Sequence, residues 1–247
     1  MTALNRKITI VIPTFQAVNL IEECIQSIRN VAANELGDSV FVRVQDGCSG
    51  DGIIEYIEGL STPGISITSG RDYGIYDAMN KAVQQIDTPW VFFLGADDKL
   101  APTFMKALPL LESTSTIYYG NVEYTSNQRI YDGEFTPLKL VYRNICHQAV
   151  FYPTALLLAH PYDKKYAINS DWATNIKLMS KYPFHFLDHL IAIYNNQDGV
   201  SRRQADEVFN AEKNKLFQEA FGQRFYLLSA TAPLLTKIYH FIIRFKR

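Results

Sequence analysis

The stretch Ile75-Tyr-Asp-Ala-Met-Asn-Lys-Ala-Val-Gln-Gln-Ile-Asp-Thr-Pro-Trp-Val-Phe-Phe-Leu-Gly-Ala-Asp-Asp98 decides the fold. Ile75, Met79, Val83 and Ile86 recur at helical spacing and mark one apolar face of a helix. Asp87-Thr-Pro89 reads as a turn. Trp90 to Leu94 is an unbroken apolar run, as expected of a strand buried on both faces. The run ends in Gly95-Ala96 and two adjacent carboxylates, Asp97 and Asp98. Helix, turn, buried strand and acidic end together describe one unit of an α/β sheet.

The same unit recurs toward the N-terminus. Ile8 to Ile12 is a β-branched run ended by Pro13, and a helix after it carries Leu20, Ile21, Cys24, Ile25 and Ile28 on one side, with Asn19 as its expected cap. Val40 to Val44 is a second strand, Ile53 to Leu60 a short helix and Ile65 to Thr68 a third strand. Strands joined by single helices predict a mostly parallel sheet covered on both faces. Thr14, Asp46 and Asp97-Asp98 then fall just past strand ends, on the edge where open α/β sheets bind ligands.

Beyond residue 100 the pattern loosens. Residues 116–125 and 128–134 predict an antiparallel pair turning at Ser126-Asn127, and Ile145 to Tyr152 reads as extended. Ser170 to Tyr182 predicts a helix with Asp171 in its first turn, Phe184 to Tyr194 a strand, and Ala205 to Phe221 a helix. The expected organisation is one domain over 1–222, with halves 1–100 and 101–222, followed by a helical tail over 223–247.

Composition narrows the function. The 247 residues carry a formal net charge of -1, so no global charge points to nucleic acid. Cys24, Cys48 and Cys146 are widely spaced without a Cys-x-x-Cys pair, which argues against a zinc site or a disulfide framework and for a reducing cytosol. The first residues lack the apolar stretch of a signal peptide, and no window approaches the roughly 20 apolar residues of a membrane span.

Two carboxylates about 4 Å apart cost roughly 4 kcal/mol at an effective dielectric near 20 unless something compensates. A divalent cation with oxygen ligands removes that cost; a solvated turn before the helix at Pro102 is the alternative reading. Asp46 opens Asp46-Gly-Cys-Ser-Gly-Asp-Gly52, where Ser49 or Asp51 can cap the next helix while Asp46 is left to accept from a ribose or base. The loop from Ser69 feeds a helix whose Asp77, Asn80 and Lys81 cluster on one side, with Arg71 suited to a phosphate or base.

Four elements in order, Pro13-Thr14-Phe15, Asp46 to Gly52, Asp72 to Lys81 and Ala96-Asp97-Asp98, resemble the family 2 glycosyltransferases of GT-A fold. The resemblance covers roughly residues 8 to 100 and is closest to bacterial members that assemble polysaccharide, O-antigen or capsule. Fainter likenesses follow at Tyr119-Gly-Asn-Val, Cys146-His-Gln-Ala, Ser170-Asp-Trp and Asp198-Gly-Val-Ser201. Cys48, Arg71 and Tyr73 depart from the usual family residues.

The resemblance implies an inverting, metal-dependent transfer of a hexosyl or N-acetylhexosaminyl unit from a nucleotide diphosphate sugar, a UDP-sugar, to a hydroxyl of a glycan or lipid-linked glycan. Pro13, Thr14, Phe15, Asp46, Arg71, Asp77 and Asp97 would bind the nucleotide sugar, and Asp98 would ligate Mn²⁺ or Mg²⁺. Asp171 would be the base, with Asp163 and Asp188 as other choices, and His147 would orient acceptor or diphosphate. A nucleotidyltransferase would need a Gly-rich phosphate loop after the first strand, which Ile12-Pro-Thr-Phe-Gln16 lacks; a binding module without catalysis would be expected to lose Asp98 or the base.

On a helix after Pro233, Lys237, His240, Arg244 and Arg247 form a basic stripe beside Leu234, Leu235, Ile238, Phe241, Ile242 and Phe245. That pattern suits the headgroup region of an anionic membrane, hence the cytoplasmic face of a bacterial membrane. Packing on the domain or on a second copy in a homodimer is the competing expectation.

Overall fold

The structure, a computed structural model, describes residues 7–131, 133–197 and 205–244. β1 (Ile8–Thr14), β2 (Val40–Asp46), β3 (Ile65–Ser69) and β4 (Trp90–Phe93) alternate with α1 (Ile21–Val31), α2 (Ile53–Gly59) and α3 (Ile75–Val83). These four strands are parallel, in the order β3-β2-β1-β4. Their side chains explain the arrangement: Ile8, Ile10, Val11, Ile12, Val40, Val42 and Val44 are buried, as are Trp90 to Phe93. α1 turns Ile21, Cys24, Ile25 and Ile28 into the same core.

The second half completes one sheet of mixed direction. It adds β5 (Lys99–Leu100), β6 (Ile117–Tyr124), β7 (Ile130–Tyr131), β8 (Val150–Pro153) and β9 (Phe184–Tyr194). β8 joins β4 and β6 antiparallel, β9 runs parallel to β6, and β5 and β7 pair antiparallel with β9 and β6. The expected parallel sheet is thus its N-terminal part, where single helices make the crossovers. The hairpin predicted at 116–134 is present, with a short second strand.

The remaining helices are α4 (Phe104–Ala107), α5 (Pro137–Tyr142), α6 (Thr154–Ala159), α7 (Ser170–Met179), α8 (Glu207–Phe221) and α9 (Gln223–Arg244). α8 is capped by the Asp206 side chain, which accepts from the Phe209 amide at 3.0 Å. Stacked rings of Phe217, Phe221 and Phe225 carry the packing from α8 onto α9, and Ser229 and Ala232 are buried.

Two local expectations fail. Asn19 does not cap α1, whose first turn starts at Ile21 after Leu20 with no side-chain cap. Instead the Leu20 and Ile21 amides donate to the Ala17 carbonyl at 2.9 and 3.1 Å, and the entering Val18 amide is held by Asp51 Oδ2 at 3.0 Å. Ile145 to Tyr152 is not extended throughout, because His147–Ala149 form a 3₁₀ turn before β8 begins. Among the described residues no helix is long and apolar enough to cross a membrane. The Asp198–Ser201 element and the side chains of the basic stripe lie outside the described residues.

Candidate functional site

The register of the parallel strands sets Thr14, Asp46 and Ser69 side by side at the carboxyl edge of the sheet. Asp46 is completely buried and accepts from the Ser69 hydroxyl at 2.6 Å, the Ser49 amide at 3.1 Å and the Ser49 hydroxyl. The Gly47 amide donates to the Thr14 carbonyl and the Gly70 amide to the Asp46 carbonyl, both at 2.9 Å. Thr14 is buried, Pro13 half-buried, and Phe15 leaves the strand with 64% of its surface exposed. Ser49 also receives the Gln16 amide at 2.8 Å, and Asp51 Oδ1 accepts from Ile53 at the start of α2.

The acid pair sits one strand over. Asp98 is buried; its Oδ1 accepts from the Asn195 amide at 2.7 Å, and its Oδ2 from Gln148 Nε2 at 2.8 Å and the Gly95 amide at 3.1 Å. Asp97 is half-buried and accepts from Asn195 Nδ2 at 3.0 Å. Burial, and then the neighbouring Asp97 charge, push the Asp98 carboxyl up to about 7 against these three donors. Lys99 does not neutralise the pair, since its ammonium goes to Glu23 at 2.6 Å. Gly95 is required sterically: a Cβ there would lie 2.4 Å from Asp98 Oδ2 and 3.0 Å from Asp97 Oδ1.

Asp171, in the first turn of α7, is buried at 8% exposure. Its Oδ2 accepts from Asn144 Nδ2 at 2.8 Å and lies 3.4 Å from His147 Nδ1. Its Oδ1 accepts from the Trp172 amide at 2.8 Å and lies 2.8 Å from the Tyr76 hydroxyl, which also reaches the Ile168 carbonyl at 2.5 Å. Burial, together with the Asp171 charge, holds the Tyr76 phenol well above its usual range, so it stays a donor. His147 is wedged among Tyr76, Phe93 and Tyr162, and its Nε2 is buried without a hydrogen-bond partner.

The structure therefore gathers Thr14, Phe15 and Asp46 at one strand end, Asp97 and Asp98 at another, and His147 and Asp171 beside them through the 3₁₀ turn. Among the described residues no hydrogen bond joins Arg71 or Asp77 to these groups. Arg71 is exposed, and its carbonyl takes the Lys81 ammonium at 2.6 Å. Asp77 is held between Lys81 at 2.9 Å and Lys164 at 3.0 Å and accepts from the Tyr73 amide. Of the other acids, Asp188 is exposed near Asn121, and Asp163 accepts from the Lys165 amide. Gln148, Asn195, Ser69, Asn144 and Tyr76 form the polar shell that charge patterns in the sequence do not reveal.

A family-wide sequence profile described as Glycosyl transferase family 2 matches residues 9–153. A "PGL/p-HBAD biosynthesis glycosyltransferase" of Mycobacterium bovis is 33% identical over 213 residues, 81% of each chain. The protein of the same description from Mycobacterium tuberculosis gives the same figures. Among solved structures, S. aureus TarS 1-349 in complex with UDP-GlcNAc superposes with a TM-score of 0.71 at 18% identity, covering 85% of this chain and 65% of that one. The mannosyltransferase PcManGT from Pyrobaculum calidifontis, in complex with GDP-Man and Mn2+, gives 0.60 at 16% identity, covering 91% and 69%. At these identities the structural likeness establishes the GT-A fold.

Proposed function

The chain belongs to glycosyl transferase family 2, and on that premise we propose that it moves a sugar, with inversion, from a UDP-sugar to a hydroxyl of a glycan or lipid-linked glycan in bacterial cell-surface polysaccharide synthesis. The observation that carries this reading is the convergence of an acid pair, whose Asp98 is buried, and a separate buried aspartate on one three-residue turn: Gln148 binds Asp98 while His147 lies against Asp171.

Pro13, Thr14, Phe15, Asp46 and Arg71 would border the nucleoside, with Asp97 on the ribose. Asp77 would act at one remove, by keeping Lys81 and Lys164 at the mouth of the site. The donor set fits a hard cation: two adjacent carboxylates with no lysine or arginine paired with them among the described residues. Such a site leaves coordination positions for phosphates and water, the usual manner of Mg²⁺ and of Mn²⁺ with oxygen ligands. Asp98 would hold the ion, which when bound supplies Lewis-acid neutralisation of the leaving diphosphate.

Asp171 would take the proton of the attacking hydroxyl. Its carboxylate is oriented by Asn144 and the Trp172 amide, and an acceptor hydroxyl would replace the longest of its contacts, that of His147 at 3.4 Å. The attack then proceeds on the sugar face opposite the diphosphate. The C-terminal stripe of Lys237, His240, Arg244 and Arg247 would bring this site to an anionic membrane surface.

A panel of nucleotide sugars assayed for hydrolysis and thermal stabilisation with Mn²⁺ tests the reading. A UDP-sugar is expected to stabilise the protein and to be slowly hydrolysed, with both effects removed by chelation. Silence from every sugar nucleotide would overturn it.

A further inference from the structure

Tyr76 stands where two acceptors compete for one hydrogen. The residue is buried in the first turn of α3, with its ring against His147 and Tyr162. Its hydroxyl lies 2.8 Å from Asp171 Oδ1 and 2.5 Å from the Ile168 carbonyl. A phenol carries a single hydrogen, so at any moment it donates fully to only one of the two. While Asp171 is ionised, neither oxygen can supply the missing hydrogen.

The frame around this hydroxyl is held from several sides. Asn80, one turn along α3, donates to the Tyr162 carbonyl at 2.8 Å and accepts from the Tyr162 amide at 2.9 Å. The Ile168 and Asn169 amides donate to the buried Asp206 carboxylate at 2.9 and 3.0 Å, which fixes the Ile168 peptide. Asp171 Oδ2 faces Asn144 and His147, so the two carboxylate oxygens have separate surroundings. Turning the Tyr76 O–H bond is therefore enough to change its acceptor, and no heavy atom has to move.

Resting on the reading of Asp171 as the base, we propose that Tyr76 is its positioning residue, a hydroxyl rotor that serves Asp171 before proton transfer and the Ile168 carbonyl after it. An ionised carboxylate is the stronger acceptor, so before transfer the hydroxyl donates to Oδ1 and leaves Oδ2 to the acceptor sugar. As the acceptor oxygen bonds to the anomeric carbon and the bond to the diphosphate breaks, the acceptor's proton passes to Oδ2. Oδ1 then becomes a neutral carbonyl oxygen, and the Tyr76 hydrogen turns to Ile168. The Tyr76 O–H bond itself never breaks, in keeping with a phenol that burial keeps protonated.

The other titratable groups around Asp171 are Cys146, His147, Tyr152 of β8 and Tyr162, with Lys213 of α8 lying 4.0 Å from the ring of the adjacent Trp172. The test is titration of the Asp171 carboxyl in the full chain, read from its ¹³C resonance and assigned by its absence in Asp171→Asn. Beside it stands the pH dependence of sugar transfer from the UDP-sugar that stabilises the protein, at saturating Mn²⁺. Removing a donor to the ionised form makes ionisation harder. In Tyr76→Phe, which keeps the ring, the Asp171 midpoint should therefore rise by about 0.5–1 pH unit, and the acid limb of turnover should rise with it. Tyr162→Phe deletes a buried hydroxyl that makes no hydrogen bond to Asp171 among the described residues, and it should leave both in place. An unmoved midpoint in Tyr76→Phe, an equal rise in Tyr162→Phe, or an acid limb that does not follow the midpoint overturns the inference alone. Wild-type turnover in Asp171→Asn overturns the base reading with it.

Discussion

Gln148 donates from Nε2 to Oδ2 of Asp98 across 2.8 Å, although 50 residues separate them in sequence. The residue before it, His147, lies against Asp171. One 3₁₀ turn thus touches both acidic centres, and its position fixes their separation. Gln148 is the kind of outer-shell partner that orients a metal-binding carboxylate.

Asp98→Asn is expected to abolish transfer while leaving the melting temperature within a few degrees of wild type. The substitution removes the like-charge repulsion with Asp97 that helps raise the Asp98 carboxyl, and with it the anionic ligand for the cation. Transfer and thermal melts measured side by side check both halves. A variant that transfers at near wild-type rate in chelator would remove the metal role.

For Asp171→Asn the expected loss is about 10²–10⁴-fold in turnover with donor affinity nearly unchanged, because a base acts in the transition state. Steady-state kinetics with the donor varied separate the two parameters. A loss in donor affinity as large as that in rate would move the base to Asp163 or Asp188.

Gly95→Ala tests the acid pair without changing any charge. The added methyl would lie 2.4 Å from Asp98 Oδ2, so the carboxylate must rotate away from Gln148 and Asn195. Mn²⁺ affinity, read from free ion by electron paramagnetic resonance, should fall by about 10–100-fold, the usual cost of disturbing a ligand's orientation. Unchanged affinity would show that the pair tolerates displacement.

Asp77 contributes to stability against acid. Burial opposes its ionisation, but hydrogen bonds from Lys81, Lys164 and the Tyr73 amide outweigh burial and bring its carboxyl down to about 2. A folded-state value below the ordinary one contributes stability that is complete above about pH 4 and is lost as pH falls toward 2. Melting temperatures across pH 6 to 2 should therefore show wild type above Asp77→Asn at neutral pH and the gap closing in acid. A gap independent of pH would assign the effect to packing.

The tail is tested with vesicles. The full chain should sediment with anionic liposomes at low salt and lose that binding with Lys237→Glu and Arg244→Glu combined. Equal sedimentation of both proteins would leave packing or dimerisation as the role of the stripe.

Much of this was legible because the signals were local. β-branched and aromatic runs mark β1, β2 and β4, and the polar residues at their ends mark the edge that gathers the candidate site. Asp97-Asp98 stood out because adjacent charges after an apolar run have few structural explanations. The uncharged shell had no such signature. Asn195 lies 97 residues from Asp98, and nothing in its own neighbourhood implies a partner. Gln148 lies within Cys146-His-Gln-Ala149, but an amide carries no charge to mark it. Asn19 misleads for a related reason: cap propensity is local, whereas here the Ile21 amide goes to the Ala17 carbonyl and the helix starts one residue later than the cap would require.

The hold of Asn195 on the acid pair has a consequence for synthesis on the ribosome. The parallel strands β1 to β4 draw on the first 93 residues and need only neighbouring crossovers to form. Asp98 receives its shortest hydrogen bond from the Asn195 amide at the end of β9, the last strand of the sheet. Contacts of such span close late, because their loop entropy is paid before any gain. A nascent chain that stops short of β9 can fold its nucleoside-side half while its acid pair is still unclamped. The acid pair is therefore the last of these groups to be set, and chains arrested or truncated before β9 should hold Mn²⁺ more weakly than the full chain.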